Sequence, residues 1–298
     1  MTRQQRLVAL AGNPNAGKSA LFNALTGARQ KIANYPGVTV ERKAGRMYSP
    51  AGEPIELVDL PGSYSLDPSS PDEEVTRKVV MGEFEGETQP DSLIIVIDAA
   101  NIEQHLVFAQ ELLSLGLPTV IALNMVDLAE RDGLVLDPAA LSEALGVPVI
   151  PTVAVRRKGL DELRAALASL DGAPAREPRP SIGLTERRVS AEAIADAAIL
   201  SETATRRLHA HLDRVLLNPW IGPVILAGIL FFVFQAVFAW ATPFADALEG
   251  AVAWLSQLVT ANMGPGLVRD IITEAVLAGV GSVVVFLPQI VILFAFIL

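Results

Sequence analysis

The sequence has 298 residues, 51% of them hydrophobic, and a formal net charge of −10. This acidic balance, with no basic stripe along the chain, argues against nucleic acid as the main partner. The lack of cysteine excludes disulfides and thiolate metal sites, and the three histidines (His105, His209 and His211) do not have the spacing of metal ligands.

The first predicted element is a strand–loop–helix unit near the N-terminus. An apolar run at 7–10 precedes the loop, and apolar residues at helical spacing follow it; the loop reads Gly12-Asn13-Pro14-Asn15-Ala16-Gly17-Lys18-Ser19. In this G-x-x-x-x-G-K-S pattern, backbone N–H groups surround phosphate oxygens. Lys18 is predicted to reach the β- and γ-phosphates, and the Ser19 hydroxyl to bind the Mg²⁺ that bridges them. The unit predicts a nucleotide site.

A second candidate segment lies between the first helix and the next strand. It contains Thr39, within Gly37-Val38-Thr39-Val40-Glu41. A threonine hydroxyl here can complete the Mg²⁺ shell only while a γ-phosphate is present, which predicts a loop that orders and disorders with the nucleotide. Residues 38–47 are also predicted to form an extra antiparallel edge strand.

The third segment is Asp59-Leu60-Pro61-Gly62, at the end of the apolar run 55–58. A carboxylate at the carboxyl end of a strand can hold the metal ion, usually through a water. The N–H group of Gly62 is predicted to donate to the γ-phosphate. Lys18, Thr39 and Gly62 are therefore the predicted catalytic residues from these three segments.

Two further segments are predicted to contact the base of the nucleotide. Asn124-Met125-Val126-Asp127 follows the buried-looking strand 119–123, and Thr152-Val153-Ala154 follows the strand 147–150. A carboxylate at Asp127 can accept hydrogen bonds from N1–H and the 2-amino group of guanine, whereas adenine leaves it unpaired. The alternative is that Asp127 only caps a helix. Backbone N–H groups at 152–154 are predicted to donate to guanine O6, although many GTPases carry Ser-Ala at this point.

Strands and helices alternate over the first 170 residues. This alternation predicts an α/β fold with a mostly parallel sheet and helices on both faces. Strands are expected near 6–12, 54–59, 92–98, 118–124 and 147–151, and helices near 18–26, 101–115, 138–145 and 158–169. We therefore predict a nucleotide-binding domain at 1–170.

The remaining residues change in composition. Residues 171–218 contain three prolines by 181 and then an Ala-, Glu- and Arg-rich stretch at 185–217, which predicts a linker and a short helical stalk. Residues 219–298 are predicted to begin a transmembrane domain, with α-helical spans at about 221–241 and 275–298. We expect an interfacial connection at 243–272 and an interruption of the second span by Gly279, Gly281 and Pro288.

Charge predicts the orientation of these spans. Arg206, Arg207 and Arg214 precede the first span, whereas acidic residues dominate the connection after it. The positive-inside rule therefore places the N-terminal side in the cytoplasm. Because the chain ends inside the apolar run 294–298, we expect a fragment of a longer protein, which by itself is not expected to conduct an ion.

In these segments the chain resembles the bacterial ferrous iron transporter family FeoB. The resemblance is carried by the P-loop, by the segments 34–43, 59–66 and 124–127, and by the apolar segment 279–290. It implies an α/β P-loop GTPase domain, a short helical stalk and transmembrane helices. It also implies GTP/GDP and Mg²⁺ as ligands, transported Fe²⁺, small Feo accessory proteins as partners, a homo-oligomer, and a multi-pass place in the bacterial inner membrane with the GTPase domain in the cytoplasm.

The resemblance also implies two residue roles. Asn15 is similar to the P-loop asparagine that helps coordinate K⁺ in potassium-activated GTPases, where the cation supplies the charge of an arginine finger. The alternative is that Asn15 only tolerates a tight turn. Ser63 stands where Ras-like enzymes have a water-orienting glutamine, which implies slow intrinsic hydrolysis.

Other function classes remain open at this stage. A membrane-anchored regulatory GTPase that acts on a protein partner without transport shares every motif described above. A soluble ribosome- or RNA-associated GTPase is disfavoured by the acidic balance and by the apolar run 221–241. Iron itself follows from the resemblance alone, because no residue in this segment is a convincing Fe²⁺ ligand.

Overall fold

The computed structural model describes residues 6–27, 30–172, 178, 182–203, 212 and 215–297. The chain divides into two compact units, Met1–Arg207 and Leu208–Leu298. Several sequence predictions fall outside the described residues: most of the linker at 171–181, and residues 204–211, 213 and 214 of the predicted stalk, which include Arg206, Arg207, Arg214, His209 and His211. The predicted domain limits at 170 and 218 stay predictions.

A seven-stranded sheet forms the centre of the first unit, with the strand order β2-β3-β4-β1-β5-β6-β8. The pairs that link β4, β1, β5, β6 and β8 are parallel, whereas β2–β3 and β3–β4 are antiparallel. The predicted mostly parallel sheet is confirmed. Its strands are β1 (Arg6–Gly12), β2 (Gln30–Asn34), β3 (Glu41–Tyr48), β4 (Pro54–Asp59), β5 (Ser92–Asp98), β6 (Thr119–Asn124) and β8 (Val149–Pro151).

Helices cover both faces of this sheet, as predicted. Alternate residues of β1 point to opposite faces, so Val8 belongs to one hydrophobic core and Ala9 to the other. One core contains residues of α1 and α6, and the other contains residues of α2, α3 and α5. The helices are α1 (Lys18–Thr26), α2 (Pro71–Met81), α3 (Ile102–Leu113), α4 (Val126–Arg131), α5 (Pro138–Leu145) and α6 (Leu160–Ser169).

The edge of the sheet differs from the prediction. Residues 38–47 were expected to form the edge strand, but β3 starts at Glu41 and β2 pairs outside it in antiparallel register. All five residues of β2 are exposed. The strand therefore has no buried face, and its sequence lacks the apolar alternation by which a strand is recognised.

The predicted stalk helix is shorter than expected. Helix α7 (Leu184–Ala198) ends where β9 (Ile199–Glu202) begins, and β9 pairs in antiparallel fashion with β7 (Leu134–Leu136). The main-chain N–H group of Asp137 donates to the carbonyl oxygen of Ala198 at 2.8 Å, so strand pairing replaces the helical hydrogen bonds here. Continuous helix over 185–217 was therefore a wrong prediction.

Helix α7 is part of the first unit and packs closely against other helices of that unit. It contacts α3 and α5, and it buries Ala191, Ala195 and Ala198 in the core on that face of the sheet. Small side chains let two helices approach closely, which explains the alanines along this side of α7.

The second unit contains two helices long and apolar enough to cross a membrane, Ile221–Asn262 and Leu267–Phe296. The first continues past the predicted end of its span at 241, so residues 243–262 form part of one long helix rather than a separate connection. Pro243 is tolerated because it lies in the first turn of a helical segment. The helical segments are Ile221–Gln235, Ala236–Trp240, Thr242–Asn262, Leu267–Asp270, Ile271–Leu277, Ala278–Val284 and Leu287–Ile297.

The second apolar helix is irregular near Pro288, as predicted, but Gly279 and Gly281 lie within the regular α-helical segment Ala278–Val284, so the predicted interruption by these glycines was wrong. Residues Ile271–Leu277 form a π-helical stretch, and a turn at 285–286 stands two residues before Pro288. Proline lacks an N–H group, so the helical hydrogen-bond pattern is interrupted at this point.

Candidate nucleotide-binding site

The parallel strands bring the predicted segments to one edge of the sheet. Loop 12–19 follows β1, residues 59–62 end β4, and residues 124–127 follow β6. Leu10 pairs with Asp59, and Asp98 pairs with Asn124, so these strands end at the same level. Ligands of open α/β sheets bind at the carboxyl ends of the strands, which is the edge formed here.

The loop after β1 has the backbone of a phosphate-binding loop. Gly12, Asn15 and Gly17 have φ angles of 151°, 65° and 83°. A Cβ atom at Gly12 would lie 2.5 Å from the carbonyl oxygen of Val96, and one at Gly17 would lie 2.3 Å from Nδ2 of Asn124. Glycine is therefore required at both positions. Left-handed residues within such a loop turn successive N–H groups toward one concave side, which suits an anion.

The left-handed conformation of Asn15 supports the tight-turn interpretation of this residue. Asparagine tolerates positive φ better than most residues. Its side chain is exposed, and the binding of a monovalent cation by Asn15 stays a prediction.

Two opposite charges lie beside this loop, the half-buried Lys18 and the buried Asp59. Burial lowers the pKa of the Lys18 ammonium, which the Asp59 carboxylate opposes, and burial raises the pKa of Asp59 against the pull of Lys18 and Lys43. Atom Oδ1 of Asp59 has no hydrogen-bond partner among the described residues. An anion at Lys18 and a cation at Asp59 would stabilise both charged forms. The pair therefore fits a Mg²⁺-bound phosphate.

The segment after Asp59 lies directly against the loop. A Cβ atom at Gly62 would lie 3.0 Å from Cγ of Pro14 and 3.2 Å from Nζ of Lys18. The main-chain N–H group of Ser63 points to the carbonyl oxygen of Gly12 at 3.4 Å. The structure thus brings Gly62 together with Lys18, as the predicted phosphate site requires, while Leu60 is buried beneath it.

Asn124 joins three segments of the site and is almost completely buried, at 1% exposure. Its Nδ2 atom donates to the carbonyl oxygen of Ala16 at 3.0 Å, and its Oδ1 atom accepts from the main-chain N–H group of Ala154 at 3.1 Å. The Thr152 hydroxyl lies 3.4 Å from the same Oδ1 atom. The phosphate loop and the two base segments are therefore held in one fixed arrangement.

The three N–H groups at 152–154 all have acceptors within the protein. Thr152 donates to the carbonyl oxygen of Leu123 at 2.7 Å, Val153 donates to that of Lys158 at 3.1 Å, and Ala154 donates to Asn124. A hydrogen bond from this loop to guanine O6 stays a prediction, and at Ala154 it requires the N–H group to be shared between two acceptors.

The predicted base-reading residue stands at the start of α4. Met125 adopts a left-handed φ of 60°, after which the chain enters the helix at Val126 and Asp127. The Asp127 side chain is 23% exposed and forms an ion pair with Arg156, whose Nη1 atom lies 3.4 Å from Oδ2. Asp127 is thus accessible to a base, and Arg156 is a neighbour that the sequence did not predict.

The structure does not bring Thr39 to the site. Residues Gly37, Val38 and Thr39 are exposed, and among the described residues no hydrogen bond joins Thr39 to the phosphate loop. The loop is fixed at its ends, because the N–H group of Tyr35 donates to the carbonyl oxygen of Val40 at 2.9 Å. Tyr35 is also buried and packs on Phe84, with ring centroids 5.3 Å apart.

Glu73 organises the segment after Gly62 and was not predicted. Its carboxylate accepts from the Ser69 hydroxyl at 2.7 Å, from the Ser69 N–H group at 2.9 Å and from the Tyr64 N–H group at 3.3 Å. These hydrogen bonds lower the pKa of Glu73. The sequence signal was the pattern Ser70-Pro71-Asp72-Glu73, which is typical of a helix start.

The fold and these strand-end segments define a P-loop GTP-binding domain. The sequence profile of the family described as Ferrous iron transport protein B matches residues 6–167. The Fe(2+) transport protein A/Fe(2+) transporter FeoB fusion protein of Porphyromonas gingivalis is 32% identical over 97% of this chain and 44% of its own length. The Fe(2+) transporter FeoB of Campylobacter jejuni is 32% identical over 96% of this chain and 47% of its own length.

A solved structure agrees with this. The cytosolic domain of the T. maritima FeoB iron transporter in its GMPPNP form is 29% identical, with a TM-score of 0.58, and covers 65% of this chain and 99% of that one. The chain belongs to the FeoB family, and its first unit is a GTPase domain. It spans less than half the length of the two curated relatives named above.

Proposed function

We propose that this chain is the GTP-dependent switch of a ferrous iron transporter, in which GTP binding and hydrolysis regulate Fe²⁺ passage through membrane helices. The observation that carries the proposal is the buried Asn124. It links the phosphate loop at Ala16 to the base segment at Ala154, so one guanine nucleotide can contact both. The names of the relatives support iron as the transported ion.

Binding is proposed to use the whole loop. The N–H groups of the loop 12–19 and the Lys18 ammonium hold the phosphates, and Asp127 accepts hydrogen bonds from the guanine edge. Mg²⁺ would be held by Ser19, Asp59 and, once its loop moves inward, Thr39, and it would offset charge that develops on the phosphates. The exposed position of Thr39 supports a switch that closes only around a triphosphate.

Hydrolysis is proposed to be slow and stimulated by K⁺. Ser63 is fully buried and its hydroxyl has no hydrogen-bond partner among the described residues, so its short side chain is poorly placed to orient a water as a glutamine would. An exposed Asn15 beside the phosphates can help hold a monovalent cation, which would supply positive charge in place of an arginine finger.

A chain of polar contacts leads from the segment after Gly62 to α7. The Ser65 hydroxyl lies 3.4 Å from Oε1 of Glu111 on α3, and Oε2 of Glu111 pairs with Nη1 of Arg187 on α7 at 3.3 Å. The side chains of Glu111 and Arg187 are 14% and 9% exposed. Because Ser65 lies three residues after Gly62, movement of this segment with the γ-phosphate would alter how firmly α7 is held. This supports coupling from the nucleotide toward the helices that follow.

The proposed setting is a bacterial inner membrane with the GTPase domain in the cytoplasm. Two apolar helices and the cytosolic domains of structural neighbours support this placement. A fusion of transport protein A with FeoB in Porphyromonas gingivalis supports a small accessory protein as a partner. A homo-oligomer remains a proposal from the family resemblance.

Iron uptake tests the proposal. Cells that lack their own ferrous transporter would carry the full-length gene, and radiolabelled Fe²⁺ uptake would be compared between the wild type, Lys18→Ala and the control Lys31→Ala, which alters an exposed lysine of β2. We expect Lys18→Ala alone to abolish uptake. Equal uptake with Lys18→Ala would contradict the proposal, and nucleotide binding without any uptake would indicate a regulatory GTPase that acts on a protein partner.

A further inference from the structure

Arg156 lies at the entrance to the base site. It follows the segment 152–154 by two residues, and its Nη1 atom is 3.4 Å from Oδ2 of Asp127. The side chain of Arg156 is 70% exposed, whereas that of Asp127 is 23% exposed. Arg156 is therefore held near the site mainly by this charge contact, while Asp127 is fixed by the start of α4.

The ion pair with Arg156 occupies one of the two Asp127 oxygens with which guanine would pair. Guanine presents two donors to the carboxylate, N1–H and the 2-amino group, and pairs best when both oxygens of Asp127 are free. Hypoxanthine has N1–H but no 2-amino group, so it needs a single oxygen. The Arg156 guanidinium on Oδ2 of Asp127 thus weakens guanine binding more than hypoxanthine binding. When hypoxanthine is bound, Arg156 can still donate to the Asp127 oxygen for which this base has no donor.

We propose that Arg156 sets the selectivity of this site between guanine and hypoxanthine nucleotides by competing with the base for one oxygen of Asp127. The inference rests on the proposed base-reading role of Asp127. Arg156 acts as a positioning residue: it balances the carboxylate charge of Asp127 and must move aside when guanine enters.

The test measures the affinities of the purified full chain for GDP and IDP in the presence of Mg²⁺. Arg156→Met keeps most of the aliphatic length but removes the charge and the donors. We expect tighter GDP binding and weaker or unchanged IDP binding, so that the GDP-to-IDP selectivity rises about two- to fivefold, the range that an exposed ion pair can supply. Arg156→Lys should restore wild-type selectivity, and high salt should narrow the gap between wild type and Arg156→Met.

Arg157→Met is the matched control, because it removes the same charge one position later on another exposed side chain. It should leave the selectivity unchanged. Unchanged or reduced GDP-to-IDP selectivity in Arg156→Met, or an equal rise in Arg157→Met, would overturn the inference. Asp127→Asn separates the two hypotheses: if it leaves GDP affinity intact, the base-reading role fails, whereas a loss of GDP affinity lets the Arg156 result decide.

Discussion

Individual side chains in the site are placed at an energetic cost that a bound nucleotide would offset. Lys18 and Asp59 are both partly desolvated, which lowers the pKa of Lys18 and raises the pKa of Asp59. Both shifts favour the neutral form of the side chain. Asp59 also has a buried oxygen with no hydrogen-bond partner in the part of the chain that the structure describes. Groups that are costly in the free protein and satisfied in the complex are typical of functional sites. Sequence alone indicated both residues, since each belongs to a motif at the end of a strand.

The first prediction concerns the base. Asp127→Asn should reduce GDP affinity on the order of 100-fold, because an amide presents a donor to the guanine edge where a charged acceptor is needed. The same variant should gain affinity for xanthosine diphosphate, whose edge carries a carbonyl in place of the amino group. Equilibrium titration with both nucleotides measures this. Unchanged GDP affinity would leave Asp127 as a helix cap only.

The second prediction concerns pH and Glu73. Hydrogen bonds hold its pKa below that of a free glutamate, so Glu73 stabilises the fold fully above the unfolded pKa, and this contribution is lost as pH falls through the folded value. Glu73→Gln should therefore be about 1 kcal/mol less stable at pH 7, and the difference should shrink as pH falls below about 4.3, the ordinary glutamate pKa, and through the lower folded pKa of Glu73. Urea unfolding of residues 1–207 across this pH range measures it. A stability difference between wild type and Glu73→Gln that stays constant at all pH values would contradict this role of the Glu73 carboxylate.

At the scale of elements, the predictable parts were those with a buried face. Strands β1, β5 and β6 are apolar because helices cover both faces, so their sequence indicates them directly. Strand β2 is exposed throughout and carries no such pattern. Helix α2 was not predicted, although Ser70 and Pro71 are typical of a helix start. The end of α7 depends on pairing between β9 and β7, which are more than 60 residues apart in the chain, so no local pattern could indicate it.

The third prediction concerns the attachment of α7. Arg187→Gln leaves the half-buried Glu111 without its ion-pair partner, a change that costs up to about 3 kcal/mol. Hydrogen exchange of the amides at 184–198 should become faster in this variant. Arg188→Gln removes an exposed charge from the next residue and should leave exchange unchanged. Equal exchange in both variants would show that the Glu111–Arg187 pair does not hold α7.

At the scale of the whole molecule, a nucleotide-binding unit precedes a unit of exposed apolar helices. The 42-residue helix Ile221–Asn262 would be about 63 Å long at 1.5 Å per residue, roughly twice the hydrocarbon thickness of a bilayer. Composition predicted a span at about 221–241 followed by an interfacial connection, whereas the full length of the helix required the structure. An apolar surface of this size is typical of helices that contact lipid or other proteins.

Every role proposed for this chain requires that its first unit binds a guanine nucleotide. Calorimetric titration of the purified chain with GDP and Mg²⁺ should show saturable binding, and titration with ADP should show none. Lys18→Ala should weaken GDP binding about 10- to 100-fold, because a charged hydrogen bond to phosphate is lost. No heat with GDP, or equal affinity for GDP and ADP, would contradict the account.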